Sequence, residues 1–213
     1  MPHSSPISKN SSPPILQIVL YSFPILFLIL TLFLLFFPSL LHVLDNSLGT
    51  FILSWRSNFL TAFFTVFTSL GGTTILTLGS VFIGIITLWL FKKIFFPFLI
   101  AIGGSALFTH LTKLLFERDR PEEGLVIATS FSFPSGHTAN STAFYGFLAF
   151  LIFIRLPRKR QKIILLLSVS FFLFLMGFSR IYLGVHFTSD VLGGYIMGGW
   201  WLALAIFAYR HTA

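Results

Sequence analysis

Apolar residues in this chain come in long uninterrupted runs separated by short polar punctuation, and that pattern reads as membrane spans. Ile15 to Phe37 is the first run, long enough for a hydrocarbon core of roughly 30 Å at about 1.5 Å per residue. It exceeds the apolar core of a signal peptide and lacks a small-residue cleavage site, so it reads as a retained helix, with Pro24 as a possible kink. Ser57 to Leu70 is too short and too polar at its start to span, and fits an interfacial or re-entrant helix. Thr73 to Phe91 and Ile94 to Phe116 are full spans parted only by Lys92-Lys93, hence an antiparallel pair. After a polar loop from Glu117 to His137, Thr138 to Ile154 and Ile163 to Phe178 follow as spans joined by the basic hairpin RLPRKRQK, and Ser189 to Tyr209 closes the set.

The fold class expected is therefore an all-α integral membrane bundle of six transmembrane helices plus a short interfacial helix. Residues 15–209 form one membrane domain, between a Ser/Pro-rich disordered N-terminus (1–14) and a short tail (210–213), both cytoplasmic. Gly194 and Gly198 form a GxxxG in the last span, and Gly103, Gly104 and Ser105 notch the third; both read as helix contacts.

Composition agrees. Of 213 residues, 55% are hydrophobic and 9% charged, with 29 Phe, against about 25% charged in a soluble domain. Cysteine is absent, which removes disulfides, thiolate metal sites and a cysteine nucleophile. The net charge of +8 does not signal nucleic acid, because the cations are sorted by membrane side and build no basic face. With six spans, nine of the 14 Lys and Arg (Lys9, Lys92, Lys93, Arg155, Arg158, Lys159, Arg160, Lys162, Arg210) share one side, which the positive-inside rule makes cytoplasmic. All six acids (Asp45, Glu117, Asp119, Glu122, Glu123, Asp190) fall on the other.

Three short stretches carry the candidate chemistry, and the same span count puts all of them on that external side. Lys113 near the end of the third span and Arg120 before Pro121 could converge on one anion, the fork of Arg and the point charge of Lys both suiting phosphate oxygens; taken alone, the pair favours interfacial snorkelling. Pro134-Ser135-Gly136-His137 precedes the fourth span, where free helix amides favour anions, Gly136 allows close backbone approach and His137 could donate a proton; the bland alternative is a turn and helix cap. Arg180 ends the fifth span, and His186 and Asp190, four apart, would share a helix face, the carboxylate fixing one ring nitrogen and leaving the other free to attack phosphorus. Asp190 could instead serve only the helix dipole. His110, one turn before Lys113, reads as a packed or lipid-interface histidine, His42 and Asp45 as interfacial, and the acids at Glu117, Asp119, Glu122 and Glu123 as a solvated loop.

In order and combination, Lys-x6-Arg-Pro, Pro-Ser-Gly-His and Ser-Arg-x5-His-x3-Asp resemble the three-part signature of the type 2 phosphatidic acid phosphatase (PAP2) superfamily, all three parts matching without substitution. The layout is similar as well, over roughly residues 15 to 209. The resemblance implies an integral-membrane lipid phosphatase, most like bacterial members acting on undecaprenyl pyrophosphate, with phosphatidylglycerophosphate or phosphatidate as the alternative. It implies that His186 is the nucleophile forming a phosphohistidine, supported by Asp190, and that His137 protonates the leaving group and then activates water. Lys113, Arg120, Ser135, Gly136 and Arg180 would bind phosphoryl oxygens. No cofactor or metal is implied, the partners are a lipid phosphate and the bilayer, and the oligomeric state is open. An anion transporter fits less well, because such sites lie near the bilayer midplane. Vanadate-dependent haloperoxidases share the signature but are soluble.

Overall fold

The computed structural model describes residues 13–212. The segment expected to be disordered lies outside the described residues up to position 12, Lys9 included, and Pro14 already opens the first helix. Among the described residues nine α-helices follow in order: α1 Pro14–Phe36, α2 Pro38–Leu53, α3 Asn58–Ser69, α4 Thr73–Leu90, α5 Lys92–Leu99, α6 Ser105–Phe116, α7 Gly136–Phe153, α8 Lys159–Tyr182 and α9 Thr188–Thr212. A π-helical turn, Ile100–Gly104, joins α5 to α6. Arg210 and His211, expected in a tail, belong to the last turn of α9.

Five stretches are long and apolar enough to cross a membrane: Pro14–Phe36, Asn58–Leu90, Lys92–Phe116, Lys159–Tyr182 and Thr188–His211. The sixth expected span is α7, which falls short on apolarity because its first half carries His137, Asn140, Ser141 and Thr142. The cause is its position. α7 packs on α4, α6, α8 and α9, so nine of its residues are buried and need not be greasy. The remaining helices turn Leu, Ile and Phe outward, as lipid-facing surfaces do.

α2 has no counterpart in the sequence reading. Pro38 disfavours helical geometry at Phe37, which sits at φ −129°, ψ 47° and ends α1, and then serves as the first residue of α2. Ser57–Leu70, expected as an interfacial helix, forms α3, which with α4 makes one of the apolar stretches long enough to cross; it is capped by Ser57 Oγ, which accepts from the Leu60 amide at 3.3 Å. Phe64 of α3 stacks on Phe178 and Tyr182 of α8, forming with Leu183 and Val185 a small core beneath the loop between α8 and α9.

The GxxxG of α9 does what its spacing suggests. A Cβ on Gly198 would lie 2.2 Å from the Ala139 carbonyl and one on Gly194 2.8 Å from the Ser135 carbonyl. Only glycine lets α9 lie directly against the start of α7, and this sets the depth of the Pro-Ser-Gly-His turn.

Candidate functional site

Each expected site residue is delivered by the end of a helix or by the loop next to it. α6 stops at Phe116 because Glu117 takes a left-handed conformation (φ 43°), which turns the chain back over the helix ends. Lys113 therefore stays on the last turn of α6 while Arg118 and Arg120 point inward from the loop. Gly184, at φ +69°, makes the corresponding turn after α8. A Cβ there would lie 2.5 Å from the Glu123 carbonyl, so this turn, which presents Val185 and His186, requires glycine.

Lys113, Arg120, Gly136, His137, Arg180 and His186 line a single cleft of about 550 Å³. Residues 73 positions apart in sequence thus meet around one volume. The two imidazoles share it, as do the three cations. Ser135 is fully buried instead; its amide donates to the Asp190 carbonyl at 2.9 Å and its hydroxyl accepts from Thr138 Oγ1 at 3.1 Å. Gly136 stands on the cleft wall with 3.9 Å between a hypothetical Cβ and Lys113 Cε, so a side chain there would meet no protein obstacle and would enter the cleft itself.

His186 and Asp190 do not pair through helical i, i+4 geometry. α9 begins at Thr188, so His186 stands before it. Asp190 Oδ2 accepts from Ser132 Oγ at 2.5 Å and from the Phe187 amide at 2.8 Å, and lies 3.4 Å from His186 Nδ1. Ser132 Oγ is itself 3.3 Å from the same nitrogen. On the other side of the ring, Arg120 Nη1 is 3.1 Å from His186 Nε2. A guanidinium can only donate, so Nε2 carries the lone pair and Nδ1 the proton. Burial pushes the imidazole pKa down to about 3, against the opposing pull of Asp190. His186 is a neutral base at physiological pH, with its lone pair toward the cleft.

The cations are held in different ways. Lys113 Nζ donates to the carbonyls of Phe131 and Ser132, and Arg120 to those of Ser130 and Val185. Burial also lowers the Arg120 pKa from its ordinary value, with Asp190 opposing; an arginine remains charged regardless. Arg180 differs. Its Nη1 donates to Thr68 Oγ1 at 2.8 Å, but its Nε is buried with no partner among the described residues. An orphaned donor on a buried guanidinium is costly unless a ligand completes it. His137, on the facing wall at the start of α7, is partly exposed to the cleft.

Three residues outside the expected site belong to this structure: Asp45, and Arg118 and Ser132, which the sequence reading did not single out. Asp45, expected at the interface, is 3% exposed. It accepts from the Ser189 amide at 2.9 Å and the Ser189 hydroxyl at 2.6 Å, thereby capping the start of α9. Arg118 bridges it to the site, donating at 2.8 Å to Asp45 Oδ2 and at 2.7 Å to Asp190 Oδ1, with its guanidinium 4.3 Å over the Phe187 ring. Ser132 completes the chain from Asp45 to His186. The available signal was a lone carboxylate interrupting an apolar stretch, which in a membrane protein implies a partner. His110, by contrast, lines the cleft while remaining exposed. Among the described residues no three of His, Cys, Asp and Glu gather closely enough to hold a metal ion.

Comparison with known proteins gives the same assignment by an independent route. The family description PAP2 superfamily matches residues 94–212, more than half of the chain. Phosphatidylglycerophosphatase B of Bacillus subtilis is 40% identical over 103 residues, covering 47% of this chain and 50% of that one. Lipid A 1-phosphatase of Rhizobium etli is 32% identical over 118 residues, 50% of this chain and 47% of that protein. The matched stretch thus spans about half the length of these curated relatives. Among solved structures, the transmembrane PAP2 type phosphatidylglycerolphosphate phosphatase from Bacillus subtilis superposes with a TM-score of 0.79 at 29% identity, over 89% of this chain and 94% of that one. LpxE of Aquifex aeolicus does so with a TM-score of 0.57 at 28% identity, over 78% and 94%. The apolar helices make the protein a multi-pass membrane protein, and the matched stretch holds all three signature segments. The chain belongs to the PAP2 superfamily.

Proposed function

We propose that the protein is a membrane lipid phosphatase that removes the terminal phosphate of a lipid phosphate through a phosphohistidine. The observation that carries this reading is the buried Arg180 Nε, which lacks a partner in a cleft where Lys113, Arg120 and two histidines also converge. A phosphoryl group supplies what that donor lacks. Once Arg120 Nη1 passes from Nε2 to a phosphoryl oxygen, His186 Nε2 attacks phosphorus and the bond to the leaving oxygen breaks. His137, made cationic by a proton held against the substrate's negative oxygens, passes that proton to the leaving oxygen. His137, now neutral, takes a proton from water as the water oxygen attacks phosphorus and the phosphorus–nitrogen bond breaks. Phosphate leaves and His186 Nε2 is restored. Lys113, Arg120 and Arg180 stabilise the charge that spreads over the phosphoryl oxygens in a loose transition state. Gly136 leaves room for them, and Ser135, buried behind the wall, contributes by joining the start of α7 to Asp190.

Phosphatidylglycerophosphate is the substrate carried forward, supported by the likeness in sequence to phosphatidylglycerophosphatase B and in fold to the phosphatidylglycerolphosphate phosphatase, both of Bacillus subtilis. The expectation of undecaprenyl pyrophosphate has no such support among the relatives described above. Phosphate release by purified protein in detergent with EDTA, across phosphatidylglycerophosphate, phosphatidate and undecaprenyl pyrophosphate, tests the reading. Metal-independent release with the highest kcat/KM on phosphatidylglycerophosphate is expected; no release from any lipid phosphate would overturn it.

The extracytoplasmic placement of the cleft is part of the same proposal, supported by the sorting of cations in the sequence. The chain has no cysteine, so Glu122→Cys on the exposed loop gives a unique thiol. An impermeant maleimide should label it in intact cells. Labelling only after lysis would invert the topology.

A further inference from the structure

The cleft does not end at the phosphate site. Below the cations it continues between α4 and α6, two helices that each pack on α7 while the space between them stays open. Its walls change character with depth. Thr77 and Ser80 of α4, Thr109 and His110 of α6 and Asn140 of α7 form a polar belt, and Leu76, Val81 and Ile102 form an apolar floor. Thr109 lies one turn, about 6 Å, below Lys113, and Asn140 three residues, about 4.5 Å, below His137.

The belt is not ordinary helix surface. Several hydroxyls in the spans bond back to their own helices: Thr31 to the Leu28 carbonyl at 2.9 Å, Thr87 to that of Ile83 at 2.9 Å, Thr142 to that of Thr138 at 2.7 Å. The belt hydroxyls do not. Thr109 is 4% exposed and its Oγ1 has no hydrogen-bond partner. Asn140 Oδ1 accepts from Ser105 Oγ at 2.8 Å, which fixes the amide and turns its NH2 away from that bond. A hydroxyl buried as Thr109 Oγ1 is finds no bulk water, so leaving it empty-handed is unfavourable.

Resting on the phosphatase reading, we infer that Thr77, Ser80, Thr109 and Asn140 form a second subsite, which hydrogen-bonds the oxygen-bearing linker between the scissile phosphate and the acyl chains. The ligand class is a glycerol-linked lipid phosphate, whose hydroxyl and ester oxygens fall just below the phosphorus. An isoprenyl phosphate presents bare hydrocarbon there and leaves the belt unsatisfied. Discrimination of this kind can be large, because the penalty falls on the site's own buried groups.

The test compares phosphatidylglycerophosphate with farnesyl phosphate, in wild type, in Thr77→Val/Ser80→Ala and in the isosteric Thr109→Val. Wild type should favour the glycerolipid, and each variant should lower the ratio of the two kcat/KM values, about tenfold or more for the double variant, mainly through KM on the glycerolipid. Equal losses on both substrates, or a ratio unchanged in all variants, would overturn the subsite. If wild type hydrolyses neither lipid, the phosphatase reading itself has failed, and that is seen before any variant is made.

Discussion

His186→Ala is expected to abolish turnover, lowering kcat by roughly a thousandfold or more, because it removes the only group whose lone pair the site aims at phosphorus. That aim is set from both sides of the ring. Arg120 donates to Nε2 at 3.1 Å, while Asp190 and Ser132 stand at 3.4 and 3.3 Å from Nδ1. Burial holds the imidazole neutral, with its pKa near 3, so lowering the pH from 8 to 6 should not titrate the free nucleophile. His137→Ala lies on the other side of the reaction. It removes the proton donor and then the base for water, so it should slow turnover severely while leaving attack possible for a substrate whose leaving group needs no proton. Base-quenched protein, labelled with a radioactive phosphate substrate whose leaving group needs no proton, separates the two. A base-stable, acid-labile phosphoenzyme should accumulate in His137→Ala and be absent from His186→Ala. Full activity in His186→Ala would remove the proposed nucleophile.

What the sequence made legible was whatever is encoded locally. Apolar runs of sufficient length declare themselves as spans, and the spacing Lys-x6-Arg-Pro or His-x3-Asp survives any arrangement of the helices. That is why Lys113, Arg120, His137, Arg180 and His186 could be named before a structure and are found around one cleft. What depends on contacts between distant segments was not legible. α2 was hidden because His42, Asp45 and Asn46 break its apolar run, although the helix buries Leu41 and Asp45 on one face. α7 looked like an ordinary span until its neighbours showed that its inner face could be polar. Arg118 sat inside the unspecified part of the first motif, between Glu117 and Asp119, and so resembled one more solvated loop charge. Its role exists only because α2 brings Asp45 to the start of α9. The i, i+4 spacing of His186 and Asp190 was real but misread, since the helix starts two residues too late to use it.

Arg118→Ala should therefore be the most damaging change outside the phosphate cleft. Arg118 does not line that cleft, yet it bonds to both Asp45 and Asp190, which are 3% and 0% exposed. Removing it strands two buried carboxylates. Breaking a buried pair in this way costs about 3–5 kcal/mol, so the thermal midpoint in detergent should fall. Asp190 would also lose the anchor on Oδ1 that holds Oδ2 toward Ser132 and His186, and kcat should drop about a hundredfold with little change in KM. A purely structural role would lower the midpoint and leave kcat per folded molecule intact, so the two readouts separate positioning from folding. Arg118→Lys supplies a charge without the fork and can reach one carboxylate but not both. It should recover more of the midpoint than of kcat. Asp45→Asn keeps the shape of the α9 cap while removing one of the two charges, so Arg118 would pair with Asp190 alone. If kcat in Arg118→Ala stayed within a few-fold of wild type at an unchanged midpoint, the two-carboxylate clamp would have no part in orienting the nucleophile.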